Sequence, residues 1–291
     1  MEDKKKIKGH LTAFITIFIW GTTYISTKVL LQYFEPVEIL FIRFIMGYLT
    51  LWLVCPKLMK SKKEHEIYFM FAGITGITFY YLLENIALVY TQATNVGVII
   101  SIAPFFTAIL SHFFCGEKLN RYFFIGFLTA IMGICLISYN GSTSFRLNPF
   151  GDILAVLAAF IWALYSIITR KLSEFGYPTV QSTRKTFLYG LIFMLPALYL
   201  LGYHPDYNKL YRPIVLWNIL FLGLGASALC FVTWNLAVRL LGAVKTSVYI
   251  YMVPVITVTT SVLILSEKIN LISVCGILLT LVGLFLSYKK L

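Results

Sequence analysis

The chain has 291 residues, of which 59% are hydrophobic and only 12% are charged, and its mean hydropathy is +0.83. Soluble domains carry roughly one quarter charged residues, so the composition excludes a soluble protein and predicts an integral membrane protein that contacts the lipid bilayer. The net charge of +12 would suit nucleic acid, but the basic residues lie mostly in short connections between apolar runs, where they orient helices. We therefore expect no nucleic-acid partner.

The apolar runs predict an all-α membrane protein with ten transmembrane helices. A bilayer core about 30 Å thick requires about 20 apolar residues per helix, and short connections make neighbouring helices antiparallel. Four lysines precede the first run as in a signal peptide, but no small-residue cleavage site closes it, so we expect an uncleaved helix. The predicted spans are 11–33, 37–55, 67–90, 94–115, 121–140, 150–171, 180–201, 213–238, 243–265 and 271–288.

The distribution of basic residues predicts the orientation of these helices. With the N-terminus inside, the inner connections and both termini hold 16 Lys and Arg residues. The outer connections hold four, namely Arg146, Lys209, Arg212 and Lys268. Because Lys and Arg concentrate on the cytoplasmic side, both termini are predicted to be cytoplasmic in a multi-pass protein of the cell membrane.

The second half of the chain repeats the first. "PFFTAILSHFFCGEKLN" begins at Pro104 and "PVITVTTSVLILSEKIN" begins at Pro254, 150 residues later, with six of 17 positions identical. Earlier in the chain, an offset of 142 places Trp20 on Trp162. Five spans per repeat is an odd number, so residues 1–140 and 150–291 are predicted to enter the membrane from opposite sides, as in many secondary transporters. A duplication kept only for packing is the alternative.

Each half resembles an EamA domain. The openings "FIWGTTYISTK" and "FIWALYSIITRK", and the duplicated closing pattern of Pro, Glu-Lys and two Gly residues, carry the resemblance over nearly the whole chain. The chain is similar to ten-helix members of the drug/metabolite transporter superfamily. This resemblance implies a plasma-membrane carrier that exports small metabolites or amino acids and has no covalent cofactor.

Glu84 is the sharpest candidate for a functional residue. It lies in the third span, one turn after Tyr80 and Tyr81 and directly before Asn85. A carboxylate in hydrocarbon costs at least about 2.5 kcal/mol, so it must face a cavity or a partner. It is predicted to bind an amino group of the solute, to carry a proton, or to form a buried ion pair with Arg43; the sequence leaves these alternatives open.

Aromatic residues at mid-depth predict the walls of a central site. Trp20 and Trp162 occupy equivalent positions of the first and sixth spans, too deep for the aromatic belts at membrane interfaces. They line a cavity, or they face lipid and neighbouring helices. Aromatic walls suit flat or cationic solutes. The predicted solute-binding residues are Trp20, Tyr24, Tyr80, Tyr81, Glu84, Asn85, Trp162, Tyr165, Tyr249 and Trp234, which occupies the position of Glu84 in the second repeat.

Two prolines and four glycines have predicted structural roles. Pro104 and Pro254 lie near the middle of spans four and nine, where each removes a backbone hydrogen bond and kinks its helix. Both prolines are predicted to act as hinges beside the solute path. The alternative is that each kink only allows its helix to pack against its neighbours. Pairs of glycines seven residues apart lie on one helix face and predict close helix packing; they are Gly126 with Gly133, and Gly276 with Gly283.

The remaining chemistry-bearing residues indicate neither an enzyme nor a metal site. The five cysteines and four histidines are scattered at spacings unlike a metal site or a disulfide framework, and no phosphate-binding loop or catalytic triad occurs. We expect a secondary transporter without cofactors that exports small metabolites such as amino acids by alternating access. A polyspecific exporter of cationic drugs and a passive channel are the alternatives. The sequence leaves open whether transport is coupled to protons. A monomer is sufficient for transport, and a dimer is the alternative.

Overall fold

The structure is a computed structural model that describes residues 2–91, 93–118, 121–138, 148–265 and 271–288. Throughout these ranges the regular structure is helical, with no strand. Six of the described helices are long and apolar enough to cross a membrane, and three further apolar helices are shorter. A helix lies at each of the ten predicted positions. The all-α membrane architecture agrees with the sequence, while the count of ten crossings and the orientation stay predictions.

The first half contains seven α-helical segments. The third predicted span is one long helix whose middle turns are π-helical, and the fourth is divided into two segments. The bounds are α1 Glu2–Leu30, α2 Pro36–Val54, α3 Lys63–Gly73, the first π-segment Ile74–Phe79, α4 Tyr80–Tyr90, α5 Ala93–Ile100, α6 Ala103–Cys115 and α7 Arg121–Ser138.

The second half repeats this order. Its third span again has a π-helical middle, and its fourth span is again divided, here by a 3₁₀ turn. The bounds are α8 Pro149–Glu174, α9 Thr179–Leu200, a 3₁₀ turn Tyr207–Tyr211, α10 Pro213–Leu220, the second π-segment Phe221–Leu229, α11 Cys230–Leu241, α12 Ala243–Ser247, a 3₁₀ turn Val248–Tyr251, α13 Met252–Leu265 and α14 Leu271–Tyr288.

The helix ends follow from local chemistry. Pro36 and Pro149 occupy the first turn of α2 and α8, where the missing N–H would have no helical partner. The side chain of Asn148 accepts a hydrogen bond from Gly151 N at 3.2 Å and caps α8. Gly116 closes α6 with φ of 67°, a left-handed conformation that favours glycine.

The two interrupted helices coincide with the predicted hinge prolines. Residues 101 and 102 form a turn between α5 and α6, and Pro104 lies in the first turn of α6. In the second half the interruption is the 3₁₀ turn Val248–Tyr251, and α13 begins two residues before Pro254. A proline cannot continue the hydrogen bonding of the turn before it, so each helix restarts at its proline. Whether these points move as hinges stays a prediction.

The halves pack through pairs of equivalent contacts. Helix α1 packs on α11 and on α13, and the equivalent helix α8 packs on α4 and on α6. Likewise α2 packs against the second π-segment, and α9 packs against the first. Each interface therefore occurs twice with the halves exchanged, and the central core lies between α1, α4, α8 and α11.

Helices α7 and α14 form a separate seam at which their backbones touch. A Cβ atom at Gly133 would lie 2.5 Å from Thr280 N and 2.6 Å from Gly276 O. One at Gly126 would lie 2.6 Å from Gly283 O. The glycines named from the sequence thus meet each other across the two halves, at distances that exclude any side chain.

Candidate functional site

A central cavity of about 30 Å³ lies where the two halves meet. Its walls come from α1, α4 and α8 and from the interruptions of spans four and nine. Six of the ten predicted solute-binding residues line it. The lining residues are Ile17, Trp20, Thr23, Tyr24, Tyr80, Tyr81, Glu84, Ile100, Trp162, Ile250 and Val253.

Helical spacing explains why these side chains converge. On α1, Trp20 is followed by Thr23 and Tyr24, and Ile17 precedes it by one turn. Residues three and four apart share one helix face, so α1 presents a continuous wall. On α4, Tyr80 and Tyr81 lie one turn before Glu84, which gives the opposite wall its carboxylate.

Aromatic rings form most of the cavity surface. The ring of Trp162 lies 5.2 Å from that of Trp20, edge-on, and 4.7 Å from that of Tyr80. Tyr80 is itself 4.7 Å from Tyr81 in an edge-on contact. Trp20 Nε1 donates to Ala226 O at 2.9 Å, which fixes the indole against the second π-segment. The rings therefore support one another in fixed orientations, a geometry suited to flat or cationic groups.

Glu84 lines this cavity and forms no direct ion pair with a described residue, while the charge of Arg43 acts on it through space. Its side chain is only 6% exposed, and its Oε2 atom has no hydrogen-bond partner. The hydroxyl of Tyr80 lies beside the carboxyl group. Among the described side chains, the ion pairs are those of Glu174 with Arg170 and Lys171 and that of Glu66 with Lys185.

Arg43, the predicted alternative partner of Glu84, is directed elsewhere. It is 2% exposed, and its Nε donates to Ser227 Oγ at 3.0 Å. Its guanidinium carbon lies 4.4 Å from the centre of the Tyr81 ring, and Nη2 has no hydrogen-bond partner. Within this structure the Arg43–Glu84 ion pair is therefore not formed, and both charged groups have an unpaired polar atom.

Four predicted residues do not line the cavity. Asn85 donates from Nδ2 to Pro36 O at 3.2 Å and fastens α4 to α2. Trp234 is fully buried behind the cavity, 5.2 Å from the ring of Trp20. Tyr165 and Tyr249 are bonded to other side chains; Tyr165 OH donates to Asn235 Oδ1 at 2.8 Å, and Tyr249 OH lies 2.7 Å from His10 Nδ1.

Sequence reasoning missed the apolar part of the lining. Ile100 and Ile250 occupy equivalent positions just before the interruptions of spans four and nine. These two residues are 150 positions apart, the same offset that relates Pro104 to Pro254, so the repeat could have identified them as lining residues. The sequence does not identify Ile17 and Val253 as lining residues, because nothing distinguishes them from the other apolar residues of their helices.

The polar atoms available to a solute are few and well placed. Glu84 Oε2 is an acceptor, and Trp162 Nε1 is a buried donor without a partner. Buried polar groups normally have hydrogen-bond partners, so the cavity is suited to a molecule that supplies both a donor and an acceptor. Among the described residues, no group of three or more His, Cys, Asp or Glu side chains could hold a metal ion.

Comparison with known proteins agrees with this architecture. An uncharacterized transporter of Archaeoglobus fulgidus is 27% identical over 97% of this chain and 98% of its own length. The uncharacterized transporter YoaV of Bacillus subtilis is 24% identical over 97% of each chain. A solved crystal structure superposes with a TM-score of 0.77 at 19% identity, covering 98% of this chain and 100% of the other. That structure indicates the fold alone.

The family assignment covers both repeats. The model of the EamA-like transporter family matches residues 7–139 and again residues 149–289. Together these matches span almost the whole sequence. The chain therefore belongs to the EamA-like transporter family.

Proposed function

We propose that the protein is a secondary transporter that works by alternating access and binds its solute in the central cavity. The observation that carries this proposal is the position of the cavity. It lies between two halves whose contacts occur in equivalent pairs, and it contains a buried, unpaired carboxylate. Solute sites at the interface of inverted repeats are a recurring design of such carriers.

The proposal includes the topology inferred from charge. Ten helices cross the cell membrane as two inverted five-helix repeats, with both termini in the cytoplasm. Pro104 and Pro254 act as hinges, because a helix that already restarts at its proline can bend there at little cost. All parts of the path lie within one chain, so a monomer is sufficient for transport.

The solute is a small molecule that carries an amine, such as an amino acid, and the direction is export. The cavity is lined mainly by aromatic and apolar side chains with few polar groups, which is typical of small-molecule sites. Glu84 pairs with the amine, and the aromatic rings enclose the remainder. The same features suit a polyspecific exporter of cationic drugs, and quaternary cations separate the two, since an amino-acid carrier rejects them.

Glu84 is also the residue that couples transport to protons, if coupling exists. A carboxylate that holds either a proton or the solute's amine, but not both, exchanges one for the other during each cycle. This role requires that no cation form a permanent ion pair with it; the Arg43 guanidinium instead bonds Ser227 and lies over the Tyr81 ring.

Flux into proteoliposomes tests the proposal. A carrier gives saturable uptake that is accelerated by solute on the opposite side, whereas a passive channel gives flux that rises linearly with concentration. Glu84→Gln should reduce uptake by about tenfold or more and remove its dependence on pH, while Glu174→Gln at the exposed end of α8 should leave both unchanged. Unaltered flux and pH dependence in Glu84→Gln would remove this residue from the mechanism.

A further inference from the structure

A second cavity, of about 30 Å³, lies between α8, α9 and α11. Thr169, Ser182, Thr186 and the exposed Arg239 are among its lining residues. None of its lining residues is acidic. Its chemistry is therefore the reverse of the central cavity, whose charged residue is Glu84.

Both cavities lie along the same face of α8. Trp162 lines the central cavity and Thr169 lines the second, two helical turns away. At 1.5 Å per residue, the two positions are about 10 Å apart along the helix axis. Tyr165, three residues after Trp162 and four before Thr169, occupies the face between them and is fully buried.

The Tyr165 side chain is held in place from two directions. Its hydroxyl donates to Asn235 Oδ1 at 2.8 Å, and Asn235 Nδ2 donates to Thr183 Oγ1 at 3.0 Å. Its ring lies flat against Gly76 of the first π-segment, where a Cβ atom would be 2.2 Å from Tyr165 Cδ2. The first half thus supplies one wall of this residue's pocket and the second half supplies the hydrogen bonds.

Tyr165 lines neither cavity but contacts a lining residue of each. Asn235 lines the second cavity and bonds the same tyrosine whose ring lies 5.0 Å from that of Trp162 in the central cavity. A rotation of Tyr165 that joins the two spaces must break its bonds to Asn235 and Thr169. Because the ring is packed against Gly76, the rotation also requires the first π-segment to move away from α8.

We propose that the second cavity is a further solute-binding site, suited to a carboxylate or hydroxyl-bearing group, and that Tyr165 is the gate between it and the central cavity. This assignment rests on the proposed transport function. With the orientation inferred from charge, the second cavity opens to the cytoplasm. A solute with both an amine and a carboxylate meets Arg239 first and Glu84 after the gate has opened.

The charge preference is tested with a single cysteine in the second cavity. Ser182→Cys, in a chain whose five native cysteines are replaced, is treated with an anionic sulfonatoethyl or a cationic trimethylammonioethyl methanethiosulfonate. We expect several-fold faster labelling by the anionic reagent, and Arg239→Gln should remove that preference. Equal rates for both reagents before the Arg239 substitution would overturn the assignment of an anion-preferring site.

The gate is tested with a cysteine in the central cavity. Thr23→Cys is treated with an impermeant reagent from each side of the membrane, with Tyr165 intact and with Tyr165→Phe, which removes only the hydroxyl. Labelling from the side of the second cavity should rise about tenfold, equivalent to about 1.4 kcal/mol. Asn235→Ala should give the same increase, and Tyr199→Phe, on an exposed tyrosine, should give none.

The two proposals fail separately. Labelling requires no flux, so an absence of transport would overturn the proposed function and leave the labelling result as it stands. If transport occurs and neither Tyr165→Phe nor Asn235→Ala alters labelling, Tyr165 is not the gate. An unchanged midpoint of thermal unfolding shows that each variant is folded when it is labelled.

Discussion

The two halves of the molecule share a scaffold and differ at the site. Both have a third span with a π-helical middle and a fourth span interrupted before a proline. Their last helices meet at a common glycine seam. However, the position of Glu84 in the first half is occupied by the fully buried Trp234 in the second.

The tyrosine gate shows the same asymmetry. Tyr165 is equivalent to Thr23, which is too short to divide two cavities. The paired asparagines also differ, since Asn235 bonds Tyr165 while its equivalent, Asn85, bonds the carbonyl oxygen of Pro36. The two halves therefore share the interrupted helices and the glycine seam, whereas the residues at equivalent positions around the central cavity differ.

The largest loss of stability is expected from a substitution in the glycine seam that the two halves share. Gly133→Leu places a side chain where the nearest backbone atom is 2.5 Å from a Cβ position, so α7 and α14 must separate. Overpacking of this kind costs typically about 1–3 kcal/mol, and more where backbone must move. A lower yield of folded protein and a lower midpoint of thermal unfolding in detergent are expected.

Gly225→Ala is the control for that substitution. The nearest atom to a Cβ there is 3.6 Å away, an ordinary contact. Its midpoint should match that of the unchanged chain. If the two variants unfolded at the same temperature, the close backbone contact between α7 and α14 at Gly133 would not contribute to stability, contrary to this prediction.

The second prediction tests the divergent site at one repeat position. Glu84→Gln should reduce solute flux by about tenfold or more, because a buried charge pair is lost from the bound state. Trp234→Phe, at the equivalent position, keeps an aromatic ring and should reduce flux only by a small factor. Initial rates of uptake measure both. Equal losses would mean that the two halves recognise the solute alike.

The third prediction concerns the interrupted helices. Pro104→Ala and Pro254→Ala each restore a backbone N–H that can bond across the interruption, so each should stiffen its span and slow exchange several-fold. Stability should stay the same or fall slightly, because alanine leaves the unfolded chain more conformational freedom than proline does. Counterflow rates and unfolding midpoints are the measurements. Faster exchange in either variant would argue against a hinge.

The smallest effect concerns a contact between the halves at the predicted cytoplasmic end. Glu66 of α3 pairs with Lys185 of α9, and Tyr189 OH donates to Glu66 Oε2 at 2.6 Å. Partly exposed pairs contribute about 1 kcal/mol or less, so Glu66→Gln should lower the unfolding midpoint slightly, and less so at high salt. A decrease as large as that of Gly133→Leu would contradict this ranking.

The sequence predicted those features that are anomalous in a membrane helix. A carboxylate or a tryptophan at mid-depth requires a cavity or a partner, and Trp20, Trp162 and Glu84 do meet in one cavity. The helix interruptions followed from the prolines, since a missing N–H has the same effect in any helix.

Features made of ordinary residues were not predictable. The threonines and serines of the second cavity have no periodic pattern, and Tyr165 and Asn235 are 70 residues apart in sequence. The π-segments have no composition that distinguishes them from α-helix. The orientation of Arg43 toward Ser227 and Tyr81 depends on packing between the halves, which a single sequence does not specify.

Thermal stabilisation by candidate solutes tests the central claim most directly. The unchanged chain and Glu84→Gln are heated with a panel of amino acids, nucleobases and quaternary cations. A ligand at 100 times its Kd stabilises by about 2.7 kcal/mol, so a solute bound in the central cavity should raise the unfolding midpoint measurably. The account predicts that an amine-bearing solute raises the midpoint of the unchanged chain and not that of Glu84→Gln. An equal rise in both proteins would contradict it.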